Sequence, residues 1–304
     1  MKAIIANKKG IENIEIREID IPKIRQNEVL IKIKAIGVNP VDWKGVESGE
    51  FGSSYILGSD ISGIVEGIGN KVTKFKKGDE VIGSLDWNKQ GAYAEFVASE
   101  ERFLTTKPKN LTFIEAAAIP MASLTAWQGI FDKLGLSKNE KIVIQATAGG
   151  VGLFALQFAK WAGAFVIAIA SEKNTAFLKS LGADMVLDYN KIDFSETLEN
   201  IDAVFDSVET AEESFKILKK DGKYVGISSL STPISKKLIA QYDVTATKYL
   251  FKSNNKQLKE IVMLIENSDI KIFIDKVFSF SEVKKALKYQ KNGHSRGKNI
   301  IVPD

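Results

Sequence analysis

The chain has 304 residues, 44% hydrophobic and 26% charged, and its 42 basic and 38 acidic residues leave a formal net charge of +4. That length accommodates two domains and a large core, and the composition is that of a folded globular chain. Scattered lysines without an aromatic-interleaved basic stripe argue against a dedicated nucleic-acid surface, zero cysteines exclude disulfides and thiolate–metal sites, and the lone His294 provides no histidine cluster.

The run Met1-Lys2-Ala3-Ile4-Ile5-Ala6 is too short for a signal peptide, and no span approaches the roughly 18–20 apolar residues of a membrane helix. A cytoplasmic location is the expectation. The first third reads as β-rich: 14–19 and 29–36 alternate apolar and polar residues, and 61–68, 80–83 and 92–98 read as further strands. Past Pro108, Thr112-Phe113-Ile114-Glu115 forms a capping box ahead of an alanine run, and helix is expected over 124–134. Ser137-x-x-Glu140 has the same spacing but leads into a strand.

From 142 to about 251, strands and helices alternate. Strands are expected at 142–145, 165–170, 185–187, 203–206, 224–227 and 244–249, which predicts a doubly wound parallel sheet. The most informative stretch is the turn after the first of these, Ala146-x-x-Gly149-x-x-Gly152, at the mouth of an amphipathic helix. Strand, glycine turn and helix in that order present backbone N–H groups and a favourable helix dipole to a pyrophosphate. The second strand, 165–170, follows at the distance a βαβ unit requires. The tail returns to mixed structure, with helices over 255–266 and 281–290 and strands over 276–278 and 299–302.

At the end of the second strand stand Ala170-Ser171-Glu172-Lys173, about twenty residues beyond the glycine turn. Domains that bind NADH usually place an acid at the strand end. Ala170 offers no carboxylate to repel a 2′-phosphate, Ser171 offers a hydrogen bond and Lys173 a charge, so NADPH is the expected cofactor. Glu172 competes with that reading if it turns inward, and is expected to face solvent.

Gly37-Val38-Asn39-Pro40-Val41-Asp42-Trp43-Lys44, Gly58-Ser59-Asp60-Ile61-Ser62-Gly63, Gly78-Asp79-Glu80-Val81-Ile82-Gly83, Gly91-Ala92-Tyr93-Ala94-Glu95, Leu124-Thr125-Ala126-Trp127, the glycine turn and His294-Ser295-Arg296-Gly297-Lys298 follow one another along the chain. Together they resemble the medium-chain dehydrogenase/reductase superfamily, in its zinc-free quinone oxidoreductase-like branch, over essentially the whole chain. The resemblance implies an α/β protein with a GroES-like β-rich catalytic domain, 1–120 with 252–304, and a Rossmann NADPH-binding domain, 121–251. Zinc-dependent members place a cysteine where Asn39 stands and a histidine where Ser59 stands, so no metal is expected. Without a Lewis acid, hydride transfer is easiest to an acceptor that already delocalises charge. The implied activity is NADPH-dependent reduction of a quinone or an α,β-unsaturated carbonyl compound; a noncatalytic NADPH-binding sensor or structural protein is the alternative.

The resemblance places Asn39 near the nicotinamide, donating to a substrate carbonyl or holding the ribose, although asparagine before proline also suits a plain turn. Thr125 resembles a hydroxyl that approaches the nicotinamide. Lys44 is a candidate proton donor or an exposed lysine, and Asp60 a cleft acid or the partner of a nearby cation. Phe51 and Tyr55 are read either as a wall for a planar substrate or as core aromatics. Ala148, Gly149, Gly150, Val151 and Gly152 are assigned to the pyrophosphate. Ser171, Lys173 and Tyr189 are assigned to the 2′-phosphate, Gly226, Ser228 and Ser229 to the nicotinamide end, and Phe251 and Lys252 to closing over it. The uncharged stretch from Val244 to Tyr249, interrupted only by Lys248, reads as an edge that makes a homodimer.

Overall fold

The computed structural model describes residues 1–50, 55–86, 91–227 and 232–303. Phe51, Ser228 and Ser229 lie outside the described residues. The chain divides into two units, Met1–Leu124 with Ser253–Asp304, and Thr125–Lys252; the sequence reading set these boundaries at 120/121 and 251/252.

The N-terminal part of the first unit contains eight described strands. They are β1 (Lys2–Ala6), β2 (Ile14–Glu18), β3 (Glu28–Val38), β4 (Tyr55–Ile56), β5 (Asp60–Ile68), β6 (Glu80–Ser84), β7 (Phe96–Glu100) and β8 (Leu104–Thr106). Helix α1 (Pro40–Ser48) follows β3, and α2 (Phe113–Ala117) and α3 (Pro120–Trp127) follow β8. Strand β3 carries the unit: its apolar residues other than the half-buried Leu30 are buried, and it pairs with both β5 and β7. The strand expected at 92–98 falls instead at 96–100, because 92 and 93 bond to the Gly58 and Leu57 carbonyls before the chain reaches β3. Gly58 sits at φ 80 with the Tyr93 ring against it, where an added Cβ would lie 2.0 Å from a ring carbon; the site permits only glycine.

In the second unit the strands β9 (Lys141–Ile144), β10 (Phe165–Ile169), β11 (Met185–Leu187), β12 (Ile201–Asp206), β13 (Leu218–Gly226) and β14 (Thr245–Lys248) form one sheet in the order β11-β10-β9-β12-β13-β14. Every pair is parallel, and the order reverses between β9 and β12, the doubly wound arrangement. The intervening helices are α4 (Gly150–Trp161), α5 (Thr175–Ser180), α6 (Phe194–Thr197), α7 (Ala211–Ile217) and α8 (Lys236–Tyr242). Phe215, fully buried, stands edge-on to Tyr224 at 5.3 Å and joins α7 to β13.

The helix expected over 124–134 is interrupted. Regular α geometry stops at Trp127, and 128–133 form a π-type turn in which the Leu134 N–H reaches the Gly129 carbonyl. The Tyr249 hydroxyl donates to the Thr125 carbonyl, the acceptor an α-helix would offer to Gly129. A Cβ on Gly129 would lie 2.8 Å from that hydroxyl and 2.3 Å from the Phe205 ring. An inserted side-chain hydroxyl of this kind forces the wider register.

The tail completes the first unit with α9 (Asn255–Glu266), β15 (Ile274–Ser279), α10 (Val283–Asn292) and β16 (Lys298–Val302). Strand β16 pairs antiparallel with β3, giving a sheet in the order β15-β16-β3-β5-β6-β8 with β7 on β3. Its core joins Ile31, Ile36, Val65 and Tyr93 to Phe278, Phe280 and Leu287 of the tail. No helix among the described residues is long and apolar enough to cross a membrane.

Candidate functional sites in the two units

In the first unit the polar candidates converge where β3 gives way to α1. Asn39 has extended backbone and caps α1, and the Asp42 carboxylate reaches back to the Asn39 N–H at 2.7 Å. The Tyr93 hydroxyl donates to the same carboxylate oxygen at 2.9 Å. Asn39 Nδ2 donates to Asp60 Oδ2 at 3.0 Å, and Asp60 Oδ1 accepts from the Met121 N–H at 3.1 Å. Lys298, the first residue of β16, donates to the Val38 carbonyl at 2.9 Å and to Asn39 Oδ1, with Asp60 Oδ2 3.7 Å away. Asn39, Asp42, Asp60, Tyr93 and Lys298 are all buried.

This arrangement fixes the Asn39 amide. Its oxygen accepts from an ammonium and its nitrogen donates to a carboxylate, so neither atom can exchange roles. Burial pulls the Lys298 ammonium below the ordinary lysine value, opposed by the carboxylates of Asp60 and Asp42. Burial likewise pushes Asp60 up, against Lys298, the Asn39 amide and the Met121 N–H. Lys44 stands apart: it is exposed on α1 with its Nζ 5.8 Å from the Trp43 ring centroid. Tyr55 is half-buried and packs against the apolar core of this unit.

In the second unit the glycine turn lies at the carboxyl end of β9. Thr147 ties the two central strand ends together, donating from its hydroxyl to the Ile144 carbonyl at 2.6 Å and accepting from the Ile169 N–H at 3.1 Å. Ala148, Gly149, Gly150, Val151 and Gly152 then lead into α4, whose N-cap Gly149 offers no side chain to the first N–H groups. A Cβ on Gly152 would lie 2.5 Å from the Ala146 carbonyl oxygen, so glycine is what lets α4 begin so close to the turn. The open N–H groups and the helix dipole fit a pyrophosphate.

Beside this turn, Ala170 is buried at the end of β10, and Ser171 Oγ accepts from Asn174 Nδ2 at 3.1 Å. Lys173 is exposed, as is Tyr189 at 50%. Glu172 pairs with Lys191 at 2.7 Å, with both side chains in solvent. Gly226 ends β13, where a Cβ would lie 3.0 Å from Lys248 Cγ. Thr125 is buried, with its carbonyl held by Tyr249. Lys252 exchanges two hydrogen bonds with the Gln128 side chain, at 2.7 and 2.9 Å, and Phe251 is half-buried next to it.

Four residues escaped the sequence reading. Asp42, Tyr93 and Lys298 lay inside motifs quoted above without a role, and Asp206 gave only the signal of a carboxylate at a strand end. Asp206 accepts from the N–H groups of Val208, Glu209 and Thr210 at 2.7, 3.0 and 2.6 Å and from the Tyr224 hydroxyl at 2.7 Å. It thereby fixes the loop at the carboxyl end of β12.

The family profile described as alcohol dehydrogenase GroES-like domain matches residues 25–109, and that described as zinc-binding dehydrogenase matches 181–301. The chain is 37% identical to a 2-methylene-furan-3-one reductase of Solanum lycopersicum, over 93% of this chain and 74% of that one. It is 32% identical to an NADPH-dependent alkenal/one oxidoreductase, chloroplastic, of Arabidopsis thaliana, over 100% and 80%. The structure of the quinone oxidoreductase from Coxiella burnetii superposes with a TM-score of 0.94 at 30% identity, covering 99% of each chain.

Asp42 gives a test of the buried group. Burial pushes its carboxyl up to about 7, against the hydrogen bonds from Asn39 and Tyr93. The folded chain then holds a proton that the unfolded chain releases near the ordinary carboxylate value, so the native state binds more protons between the two. The stability this proton confers is complete below about pH 4 and is lost as pH rises through about 7, a change of no more than about 4 kcal/mol. Asp42→Asn keeps an acceptor but removes the titration. Urea unfolding midpoints across that window should fall with pH more steeply in the parent than in Asp42→Asn, and parallel profiles would refute this assignment.

Proposed function

The chain belongs to the quinone oxidoreductase-like branch of the medium-chain dehydrogenase/reductase superfamily, and from that premise we propose that it is a zinc-independent reductase that delivers hydride to a quinone or an α,β-unsaturated carbonyl compound. It is an NADPH-dependent oxidoreductase. The observation that carries the zinc-free reading is the Lys298 ammonium on Asn39 Oδ1. Asn39 and Ser59 occupy the positions where zinc-dependent members put ligands. One is an amide oxygen already facing a protein cation, and the other a neutral buried hydroxyl. That donor set does not fit zinc, which takes thiolate, imidazole or carboxylate.

The second unit fits NADPH at the open start of α4 and at the Ala170–Lys173 corner. The cofactor supplies a hydride from nicotinamide C4. The protein's own part begins with the phosphates: α4 receives the pyrophosphate, and Ser171 and Lys173 receive the 2′-phosphate. Glu172 agrees with this, since its side chain lies in solvent on Lys191 instead of turning inward. In the first unit the polar group around Asn39 holds one amide orientation, with the Lys298 ammonium matched by Asp60. Hydride added to the β-carbon of an enone would leave an enolate that a proton from water completes, so the step asks the protein for positioning and needs no metal.

Three measurements follow. Purified chain should oxidise NADPH with a panel of quinones and enals, and prolonged chelation should leave the rate unchanged. Binding of NADPH without turnover of any acceptor would favour the noncatalytic reading, and zinc-reversible loss of activity would remove the metal-free one. The kcat/KM ratio for NADPH over NADH should exceed one in the parent and fall by about tenfold or more in Lys173→Ala, the scale of one charge-assisted contact; an unchanged ratio would place the 2′-phosphate elsewhere. Finally, β14 forms an edge of the parallel sheet, and we assign it to a homodimer because an uncovered edge strand invites pairing. Light scattering at micromolar concentration should give twice the chain mass, and monomer alone would overturn the dimer.

A further inference from the structure

We propose that the first unit carries a second small-molecule site, a lysine-rimmed cleft that takes an organic anion with an apolar body, of the class of medium-chain carboxylates. The cleft has a volume of about 570 Å³ and lies between α9 on one side and β8 with the turn at Lys74 and Phe75 on the other. That is the size of a ligand pocket. Phe75, Leu104, Val262 and Met263 give it an apolar wall, and Met263 is 47% exposed along it.

Five lysines line the cleft, against the single carboxylate of Glu266. Lys107 is accounted for: it is buried, donates to the Pro108 and Leu111 carbonyls at 2.9 and 2.6 Å, and pairs with Glu80 at 3.1 Å. Glu266 is also engaged, accepting from the Lys109 N–H at 3.1 Å. The ammonium groups of Lys74, Lys109, Lys256 and Lys259 meet no carboxylate among the described residues. Four like charges around one cleft repel one another, and an anion between them relieves that repulsion. The start of α9, a helix of 12 residues whose Asn255 lines the cleft, has the Lys256 and Gln257 N–H groups on Asn254 Oδ1, so the lysine side chains supply the positive charge there. A bare anion would satisfy the lysines but leave the apolar wall in water. A carboxylate bearing an alkyl chain satisfies both, with its head on the ammonium groups and its chain along Phe75, Val262 and Met263.

Calorimetric titration of the full chain with decanoate tests the site, with inorganic phosphate and decyltrimethylammonium as separate arms. Saturable binding of one decanoate per chain is expected, with neither phosphate nor the cationic amphiphile matching it. Lys256→Glu/Lys259→Glu should weaken decanoate binding about tenfold or more, while the charge-matched pair Lys236→Glu/Lys237→Glu on α8 stays within about twofold. Unchanged thermal unfolding and NADPH binding in both double variants confirm that folding is not the cause. Absence of saturable decanoate binding, equal loss in both double variants, or binding of phosphate or the cationic amphiphile as tight as that of decanoate would each overturn the proposal.

Discussion

Placing the Lys298 ammonium where water does not reach would cost several kcal/mol if it met nothing there. Three segments therefore deliver acceptors to it: the end of β3 through the Val38 carbonyl, the cap of α1 through Asn39, and the start of β5 through Asp60. Asp60 in turn holds the chain at Met121, and Asp42 holds Tyr93. Exchanging the pair for well-packed apolar residues of similar volume need not destabilise such a fold, but removing one partner leaves a buried charge unanswered. Strand β16 joins β3 with Asn299 opposite Val38, the register that brings Lys298 onto Asn39, and any other alignment would leave the buried ammonium without these acceptors.

The second unit meets the opposite problem, keeping polar groups open. Its central strands are apolar and buried, and β9 ends in a turn held by the Thr147 hydroxyl without any side chain at the helix start. Where a neighbouring strand end needs a closed loop, after β12, Asp206 accepts from three successive N–H groups. The contrast between an uncapped helix at one strand end and a saturated loop at the other leaves the start of α4 suited to an anion.

Features written within a few residues were legible in the sequence. The glycine spacing, the Thr112–Glu115 capping box and the alternation of strands with helices are local, and the structure forms each of them. Ser137-x-x-Glu140 shows the limit of such signals: its carboxylate does bond the Ser137 N–H, at 2.7 Å, yet closes a turn before β9 instead of starting a helix. What could not be read joins distant positions. Asn39 and Lys298 are 259 residues apart, Asp42 and Tyr93 are 51 apart, and no periodicity links them. Lys298 did leave one mark, a lysine opening an apolar strand just after a glycine. The break at Trp127 was hidden because its cause, Tyr249, lies 124 residues away from the carbonyl it takes.

That tyrosine also bears on the order in which the chain can fold. Thr125 and Lys252 are the two ends of the second unit, and the Tyr249–Thr125 bond with the paired Gln128–Lys252 bonds fastens those ends to each other. Before that clasp forms, β16 must find β3 across a free loop of roughly the whole chain, whose closure entropy grows with length and slows non-local pairing. Once it has formed, the intervening unit counts as a short connection. The clasp therefore shortens the search for a contact in which it takes no part, and it makes early completion of the nucleotide-type unit the faster route to a finished first unit.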